Sequence, residues 1–186
     1  YVYRIQTFLI PEEMEEYFHW KYIFFKKLRE DILKRFCYRP FFGDYGWNEI
    51  GRIKKEFPEM NIFKGGNLLR EMKKCKLVIS DHLATSYLES LITNTPTVLY
   101  WDKEIFKIRP SANKYFDLLR DVKILHDGPI SAADHINEIF DDVNKWWGNE
   151  SVQNVRMQFV NYMGLSSKNW VYELSNFIKE QLELRK

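Results

Sequence analysis

Residues 76–101 read KLVISDHLATSYLESLITNTPTVLYW and predict a strand, a helix and a second strand in succession. Residues 77–79 form an apolar run that is too short for a helix, and residues 96–101 form a second run rich in β-branched and aromatic side chains. Between the two runs, Leu88 and Leu91 fall at helical spacing. A connection built from one helix joins two parallel strands. The stretch therefore predicts the centre of a parallel sheet.

The turn between the first strand and the helix, residues 80–86, is where we expect a ligand. It lies at the carboxyl edge of the predicted sheet and at a helix N-terminus, where free N–H groups and the helix dipole favour an anion. Ser86 and Glu89 fit the capping-box pattern, in which each side chain accepts a hydrogen bond from a backbone N–H of the first turn. The helix is expected to end near Asn94, because the residue before Pro96 is disfavoured in a helix.

Length and charge restrict the class of protein. The chain has 186 residues, which suits one domain, and 28 basic against 26 acidic side chains give a formal net charge of +2. No long block of one sign indicates a nucleic-acid tract or a strongly basic membrane surface. The 14 Phe, 11 Tyr and 6 Trp residues predict a dense core, exposed stacking surfaces or a face that meets another domain.

Cysteine content and the ends of the chain indicate a compartment. Cys37 and Cys75 are too few for a disulfide framework or a zinc site of the usual spacing, and two scattered thiols suit a reducing environment. No signal peptide stands at the start, and no apolar run approaches the ~20 residues that span a bilayer. From the thiols we expect the cytoplasm. Because the chain opens at Tyr1 inside an apolar stretch, we also expect a piece of a longer protein.

Strands and helices alternate along most of the chain. The predicted strands are residues 1–10, 36–42, 61–64, 77–79, 97–100 and 122–125. Besides the helix after the central turn, the predicted helices are residues 12–35, 47–57, 68–74, 114–121, 131–147, 152–162 and 170–184. This order predicts the α/β class: a doubly wound, Rossmann-like parallel sheet of about six strands with a C-terminal helical tail. Residues 1–148 would form the α/β core of a single domain, and residues 149–186 the tail.

The predicted tail carries an apolar stripe at helical spacing, formed by Trp170, Leu174, Phe177 and Ile178. An exposed stripe of this size is unfavourable in water. We expect it to pack on the domain or on another part of a longer protein.

Several motifs occur together in this chain. RPFFGDYGW at residues 39–47, Arg52, the strand and turn of residues 77–89, and NTPTV at residues 94–98 with Tyr100 and Trp101 follow one another. In this order they resemble a family of bacterial transferases of surface-carbohydrate biosynthesis, and the resemblance to the carboxyl-terminal half of those enzymes covers roughly residues 36–185.

A more distant similarity rests on the order strand, Asp-x-x-x-x-Ser, helix and Pro-strand, which starts here at Asp81. It is similar to the nucleotide-binding domain of GT-B glycosyltransferases and of CDP-glycerol polymerising transferases. The chain departs from the polymerising enzymes at His82, Leu83 and Ala84, which stand in place of their usual tyrosine and serines.

The resemblance implies a two-domain enzyme that takes a sugar or a polyol phosphate from a nucleotide-activated donor during bacterial surface polysaccharide synthesis. It implies that this half holds the nucleotide-diphosphate donor, and that a missing N-terminal half holds a glycan or lipid-linked acceptor. No cofactor and no metal are expected. Such an enzyme would work in the cytoplasm or peripheral to the inner membrane.

Donor-binding residues are expected in the central turn. Ala84, Thr85 and Ser86 could offer backbone N–H groups and two hydroxyls to a diphosphate, although Ser86 could equally do no more than cap the helix. Glu89 could accept hydrogen bonds from ribose hydroxyls, or close the capping box.

Two arginines and two aromatic residues complete the predicted donor site. Arg39 and Arg52 are candidates because a guanidinium offers a planar fork of donors to phosphate, and each could instead form a surface ion pair. Arg39 is favoured because it ends a predicted strand. Tyr45 and Trp47 lie in a turn-rich loop and could stack on a base or a sugar, or pack in the core.

The sequence does not identify a catalytic residue. His82 beside Asp81 is a weak candidate, because histidine titrates near neutral pH but adjacent residues in a turn usually point apart. The other three histidines show no metal-ligand spacing. Asp102, Glu104 and Arg109 follow a predicted strand and could meet the sugar or the acceptor, or form a solvated loop.

Three functional classes remain open. The first is the glycosyltransferase-like enzyme domain just described. The second is a non-catalytic module that binds a nucleotide sugar, and the third is a structural or interaction domain whose aromatic helices dock a partner. Fold class does not choose among them. The base, the sugar, the acceptor and the stereochemical course are not determined by the sequence.

Overall fold

The computed structural model describes residues 11–41, 43, 46–63, 65–164 and 169–184. The predicted strand at residues 1–10 lies outside this part of the chain. The described helices are α1 (Pro11–Lys27), α2 (Glu30–Leu33), α3 (Glu49–Glu56), α4 (Leu68–Met72), α5 (Thr85–Ile92), α6 (Pro110–Asp121), α7 (Pro129–Ile139), α8 (Val143–Trp147), α9 (Glu150–Met163) and α10 (Trp170–Glu183). The described strands are β1 (Cys37–Tyr38), β2 (Asn61–Ile62), β3 (Val78–Ser80), β4 (Thr97–Tyr100) and β5 (Leu125–His126). A 3₁₀ turn, Phe140–Asp142, links α7 to α8.

The described strands form two small parallel sheets. β1 pairs with β2 in one sheet, and β3, β4 and β5 lie side by side in the other. In the register of β3 and β4, Val78 lies opposite Thr97 and Ser80 opposite Leu99. The predicted parallel pairing of these two strands is confirmed, and so is the mixed α/β class.

The prediction of one sheet with about six strands is wrong, because the described strands are short and belong to separate ladders. β1 ends at Tyr38, two residues before Pro40, which has no N–H to continue a ladder. β2 is followed by Gly65 and Gly66 with φ of 109° and 137°, a conformation that glycine adopts readily and other residues do not.

The predicted helix of residues 12–35 is divided into α1 and α2. Arg29 between them is extended, with φ −55° and ψ 142°. Its N–H donates to Oδ1 of Asn137 on α7 (2.8 Å), and Nδ2 of the same asparagine donates to the carbonyl of Lys27 (2.9 Å). Asn137 therefore satisfies backbone groups on both sides of the break, and a tertiary contact overrides the helix propensity of the segment.

Apolar clusters cover both faces of β4, the fully buried central strand. Val98 packs with residues of α1 and α7, including Phe24 and Ile136. Leu99 packs on the opposite face with residues of α5, α6 and α9, including Leu91. Successive side chains of a strand point to opposite faces, so a strand that is covered on both sides is apolar throughout.

The two helices of the tail differ in burial. α9 packs on α5 and α6 and buries Val152, Phe159 and Val160. α10 has no buried residue, and the side chains of its apolar stripe are between 48% and 57% exposed. The prediction that the stripe packs on the domain is therefore wrong for the described residues, and its packing on another part of a longer protein stays a prediction. No helix in the described ranges, α10 included, has both the length and the apolar character that crossing a membrane requires.

Candidate functional site

A buried lysine connects the carboxyl ends of the two sheets. Lys21 lies on α1, and its side chain is 3% exposed. Its ammonium donates to the hydroxyl of Tyr38, at the end of β1, and to Oε1 of Glu49, at the start of α3 (2.9 Å). It also lies 3.3 Å from Oδ2 of Asp81, which follows β3. The residues after β1 and after β3 therefore lie close to one charged group.

The sequence of α1 places this lysine on the buried face. Phe18, Lys21, Phe25 and Leu28 are separated by three or four residues, so they lie along one side of a helix. All four are buried. The sequence predicted a helix here but Lys21 was not among the predicted site residues, although a charged residue at an apolar position of a helix was the signal that could have revealed it.

The buried charges keep one another ionised. Burial opposes the charge of Lys21, but the attraction of Asp81, followed by that of Tyr17, Tyr38 and Glu49, outweighs it and raises the pKa of the lysine well above its ordinary value. Burial also opposes ionisation of Asp81, but Lys21 and a hydrogen bond from His82 outweigh it and hold the pKa of that carboxyl well below its ordinary value. The pKa of Glu49 is lowered against its own burial, mainly by Lys21. One ammonium therefore faces two carboxylates.

Two tyrosine hydroxyls complete the hydrogen bonding of these carboxylates. Tyr17 donates to Oδ1 of Asp81 (3.0 Å), and Tyr38 donates to Oε1 of Glu49. Burial raises the pKa of both phenols, so both are neutral donors at neutral pH. The ammonium of Lys21 lies 4.2 Å from the centre of the Tyr17 ring, a distance typical of a cation–π contact.

Asp81 and His82, which the sequence analysis expected to point apart, are hydrogen-bonded to each other. Nδ1 of His82 lies 2.9 Å from Oδ1 of Asp81. The carbonyl of His82 accepts hydrogen bonds from Oγ of Ser80 (3.2 Å) and from the N–H of Ala84 (3.1 Å), which hold the turn in this form. An ionised carboxylate only accepts, so Nδ1 carries the proton and Nε2 is the unprotonated nitrogen of the neutral ring.

Helix α5 begins two residues earlier than the capping-box prediction requires, because that prediction makes Ser86 the N-cap. Its first residue is Thr85, and the residue at its N-cap is Ala84, which has no side chain able to cap it. Ser86 therefore lies inside the first turn, and its predicted capping role is wrong. Thr85 is exposed and Glu89 is half-buried. Among the described residues, no side chain caps the first N–H groups of this helix.

The loop after β1 contains the other predicted donor residues. Arg39 is exposed, and its guanidinium lies 5.7 Å from the centre of the Phe63 ring. Trp47 is half-buried just before α3. Tyr45 lies outside the described residues. Because Arg39 follows Tyr38 directly, it lies beside the cluster around Lys21.

Arg52 connects α3 to α1. Its Nε donates to the carbonyl of Trp47 (3.0 Å), and its guanidinium pairs with Glu15 (2.9 Å) and lies 5.1 Å from the centre of the Phe18 ring. These contacts are those of a structural arginine. Contact between Arg52 and a donor stays a prediction.

A narrow cavity lies beside Asp81. Its volume is about 10 Å³, the space of about one water molecule. Its lining residues are Glu16, Tyr17, Trp20, Lys21, Asp81, Tyr100, Asp102, Ile105 and Phe106. Of the three candidates after β4, Asp102 is therefore near the cluster, whereas Glu104 and Arg109 are exposed.

Comparison with known families decides the class of the protein. The family model of the LIC12162 family transferases matches residues 1–178. The chain belongs to this family. No curated protein and no solved structure matches the chain. Membership of the LIC12162 family supports transferase activity, and the resemblance to surface-carbohydrate transferases agrees with it at this level.

Two further histidines of this LIC12162 family transferase lie in the core, away from the turn after β3. The rings of His126 and His135 are 5.2 Å apart, and His135 lies 4.9 Å from the ring of Trp146. Within the described ranges, His, Cys, Asp and Glu side chains form no group of three or more that could hold a metal ion.

Proposed function

We propose that this LIC12162 family transferase is glycosyltransferase-like and moves a sugar or a polyol phosphate from a nucleotide-activated donor to a glycan or lipid-linked acceptor of bacterial surface polysaccharide. Family membership supports transfer chemistry in general. The observation that carries the proposal further is the N-terminus of α5, which follows β3 directly and has no side-chain cap. Free backbone N–H groups at such a position are suited to phosphate.

The diphosphate of the donor binds at Ala84, Thr85 and Ser86 in this proposal. Backbone N–H groups and the positive end of the helix dipole stabilise the charge of the departing diphosphate. Arg39 adds a guanidinium from the end of β1, and Glu89 accepts hydrogen bonds from the ribose. The contact network of Lys21 supports this arrangement, because it links Tyr38, the neighbour of Arg39, to Asp81.

The acceptor is held elsewhere in this proposal. The carboxyl edge of the described sheets would form one wall of a cleft, and an N-terminal half of a longer protein would form the other. The narrow cavity beside Asp81 is too small for a sugar, which agrees with an acceptor that enters from outside this chain.

A thermal-shift screen with UDP, GDP, CDP and CMP sugars tests the donor class. Two aspartate substitutions show whether binding occurs at the N-terminus of α5. Ala84→Asp would place a carboxylate at the N-cap of α5, where it would occupy the free N–H groups and repel phosphate. Gly128→Asp is the matched control, because Gly128 is the N-cap of α7, also lacks a side-chain cap, and has open space around an added Cβ.

We expect at least one nucleotide sugar to raise the melting temperature of the wild-type protein and of Gly128→Asp, but not of Ala84→Asp. A nucleotide that stabilises all three proteins equally would contradict binding at α5. Binding without turnover in the longer protein would favour a non-catalytic nucleotide-sugar module. No shift with any nucleotide would favour an interaction domain.

A further inference from the structure

The buried charges of Lys21, Glu49 and Asp81, which form the cluster around Lys21, contribute little net stability to a fold because of their desolvation cost. The side chains of Lys21, Glu49 and Asp81 are 3%, 15% and 19% exposed. Removing ions from water costs several kcal/mol each, and well-packed apolar residues in place of a buried ion pair are often equally stable. Stability alone is therefore a weak reason for such a cluster, and its position at the carboxyl edge of the sheet points to chemistry.

The contacts of the cluster fix both carboxylate oxygens of Asp81, and one of these oxygens is hydrogen-bonded to the ring of His82. Oδ2 of Asp81 faces Lys21 at 3.3 Å, and Oδ1 accepts from Tyr17 (3.0 Å) and from Nδ1 of His82 (2.9 Å). Both oxygens of Asp81 are therefore fixed. The side chain of His82 is 36% exposed, and its Nε2 has no hydrogen-bond partner in the described part of the chain.

We propose that Lys21 and Asp81 are positioning residues that hold His82 in the Nδ1–H tautomer, so that Nε2 acts as the general base of the transfer reaction. This inference rests on the proposed function. In the step, the acceptor hydroxyl gives its proton to Nε2 while its oxygen forms a bond to the anomeric carbon of the donor sugar. The bond from that carbon to the diphosphate breaks, and the nucleoside diphosphate leaves with the electron pair. The imidazolium later loses its proton to solvent.

The charges of the cluster favour this step. Lys21 carries one positive charge, and Glu49 and Asp81 together carry two negative charges, so one negative charge is left over beside His82. Two more carboxylates, Glu16 and Asp102, line the cavity next to Asp81. This excess of negative charge stabilises the imidazolium that forms as the acceptor loses its proton.

The base also lies next to the proposed donor site in sequence and in space. The carbonyl of His82 accepts a hydrogen bond from the N–H of Ala84 (3.1 Å), the N-cap residue of α5. A single turn therefore carries both the histidine and the N–H groups that would hold the diphosphate. A base must lie within hydrogen-bond reach of its proton, and a short rigid turn is a suitable support.

Asp81→Ala is the variant that tests the positioning role. It leaves Lys21 paired with Glu49, so it leaves no unbalanced buried charge. Asp141→Ala is the control, since Asp141 also forms an ion pair, with Arg29 (2.9 Å), but lies outside the cluster. Nitrogen NMR of the His82 ring reports the tautomer without any substrate, and His82→Gln assigns its signals.

We expect the wild type and Asp141→Ala to show the Nδ1–H tautomer at His82 and Asp81→Ala to lose it. In the longer protein, with the nucleotide sugar that gives the largest thermal shift, Asp81→Ala should lower kcat by at least about 100-fold, the usual contribution of a general base, with KM for the donor nearly unchanged. Lys21→Met should also lower kcat, and Lys21→Arg should recover part of it because it keeps the cation.

The outcomes separate this inference from the proposed function. If Asp81→Ala binds the nucleotide sugar and keeps both the tautomer and kcat, the positioning role is overturned and donor binding stands. If Asp141→Ala loses as much kcat as Asp81→Ala, the effect is a general loss of structure and the inference is overturned. If the wild type binds no nucleotide sugar, the proposed function fails and the general base fails with it.

Discussion

Lys21 stands on α1 among residues that are otherwise apolar, and its neighbours in space come from distant parts of the chain. Phe18 and Phe25 precede and follow it on the same face of the helix. Glu49 and Asp81, its charged partners, lie on α3 and after β3. Periodicity in the sequence predicts that this position is buried, but the identity of its partners depends on tertiary structure and could not be predicted.

Replacing the buried cation should destabilise the fold. Lys21→Met leaves Glu49 and Asp81 without a counter-charge, and breaking a buried ion pair costs about 3–5 kcal/mol. Lys26→Met on the same helix is the control, because the side chain of Lys26 is 65% exposed and its pair with Glu56 is at the surface. Such a surface pair contributes about 0–1 kcal/mol. Urea unfolding measures both, and equal losses would contradict the buried cluster.

His135 should make the stability of the protein depend on pH. Both of its ring nitrogens are buried without a hydrogen-bond partner among the described residues, and the nearest carboxylate oxygen, on Glu138, is 3.9 Å from Nδ1. Burial lowers the pKa of His135 from 6.5 to about 4. The folded state therefore binds this proton less readily than the unfolded state. The contribution of neutral His135 to stability is fully present above the unfolded pKa of 6.5 and is lost as the pH falls from there toward 4.

The expected loss over this window is up to about 3 kcal/mol, since one pKa unit corresponds to about 1.4 kcal/mol. His126 acts in the same direction, because burial lowers its pKa too. The lowered pKa of Asp81 acts only below the ordinary carboxyl value of 3.8. Urea unfolding at pH 7, 6, 5 and 4.5 gives the free energy of unfolding at each pH. This free energy should therefore change less with pH in His135→Leu than in the wild type. His19→Leu, a change at an exposed position, should leave the pH dependence of the unfolding free energy as in the wild type. An unchanged pH dependence in His135→Leu would refute the role of His135.

At the scale of elements, the sequence predicted helices better than it predicted their ends. β3, α5 and β4 follow one another within a short stretch, so their local patterns were sufficient. The predicted start of α5 was wrong because Ser86 and Glu89 have the spacing of a capping box, whereas the helix begins at Thr85. The break at Arg29 was missed because its cause, Asn137, lies on α7.

The two helices of the tail should contribute unequally to stability. A chain ending at Gly164 loses α10, which buries no residue, and should keep its free energy of unfolding within about 1 kcal/mol of that of residues 1–186, since little apolar area is exposed. A chain ending at Gly148 also loses α9 with Val152 and Phe159, and should not fold cooperatively. Urea unfolding of the three chains decides this. A large loss on removing α10 alone would mean that its apolar stripe is covered.

At the scale of the whole molecule, the described residues form two short parallel ladders whose carboxyl ends meet at Lys21. The sequence predicted the α/β class and the central parallel pair, since both follow from local periodicity. It did not predict the division into two sheets, because the pairing of strands depends on tertiary structure and not on local periodicity. A ligand site at the turn of residues 80–86 stays a prediction, and the hydrogen bond between Asp81 and His82 could not be foreseen from the sequence.

In our proposal, the carboxyl ends of both sheets serve one nucleotide site. Arg39 and Arg35 flank β1 at its two ends, so they form a matched pair. Arg39 lies at the carboxyl end, beside Tyr38 and the Lys21 cluster, and Arg35 lies at the other end. In our proposal, Arg39 contacts a diphosphate at α5 and Arg35 does not.

Titration calorimetry with the nucleoside diphosphate of the best donor is the direct test. A charge-assisted hydrogen bond contributes about 1.5–3 kcal/mol, so Arg39→Ala should raise Kd by at least about tenfold. Arg35→Ala should leave Kd close to that of the wild type. Equal Kd values for the wild type, Arg39→Ala and Arg35→Ala, with all three proteins folded, would contradict a nucleotide site shared by the carboxyl ends of the two sheets.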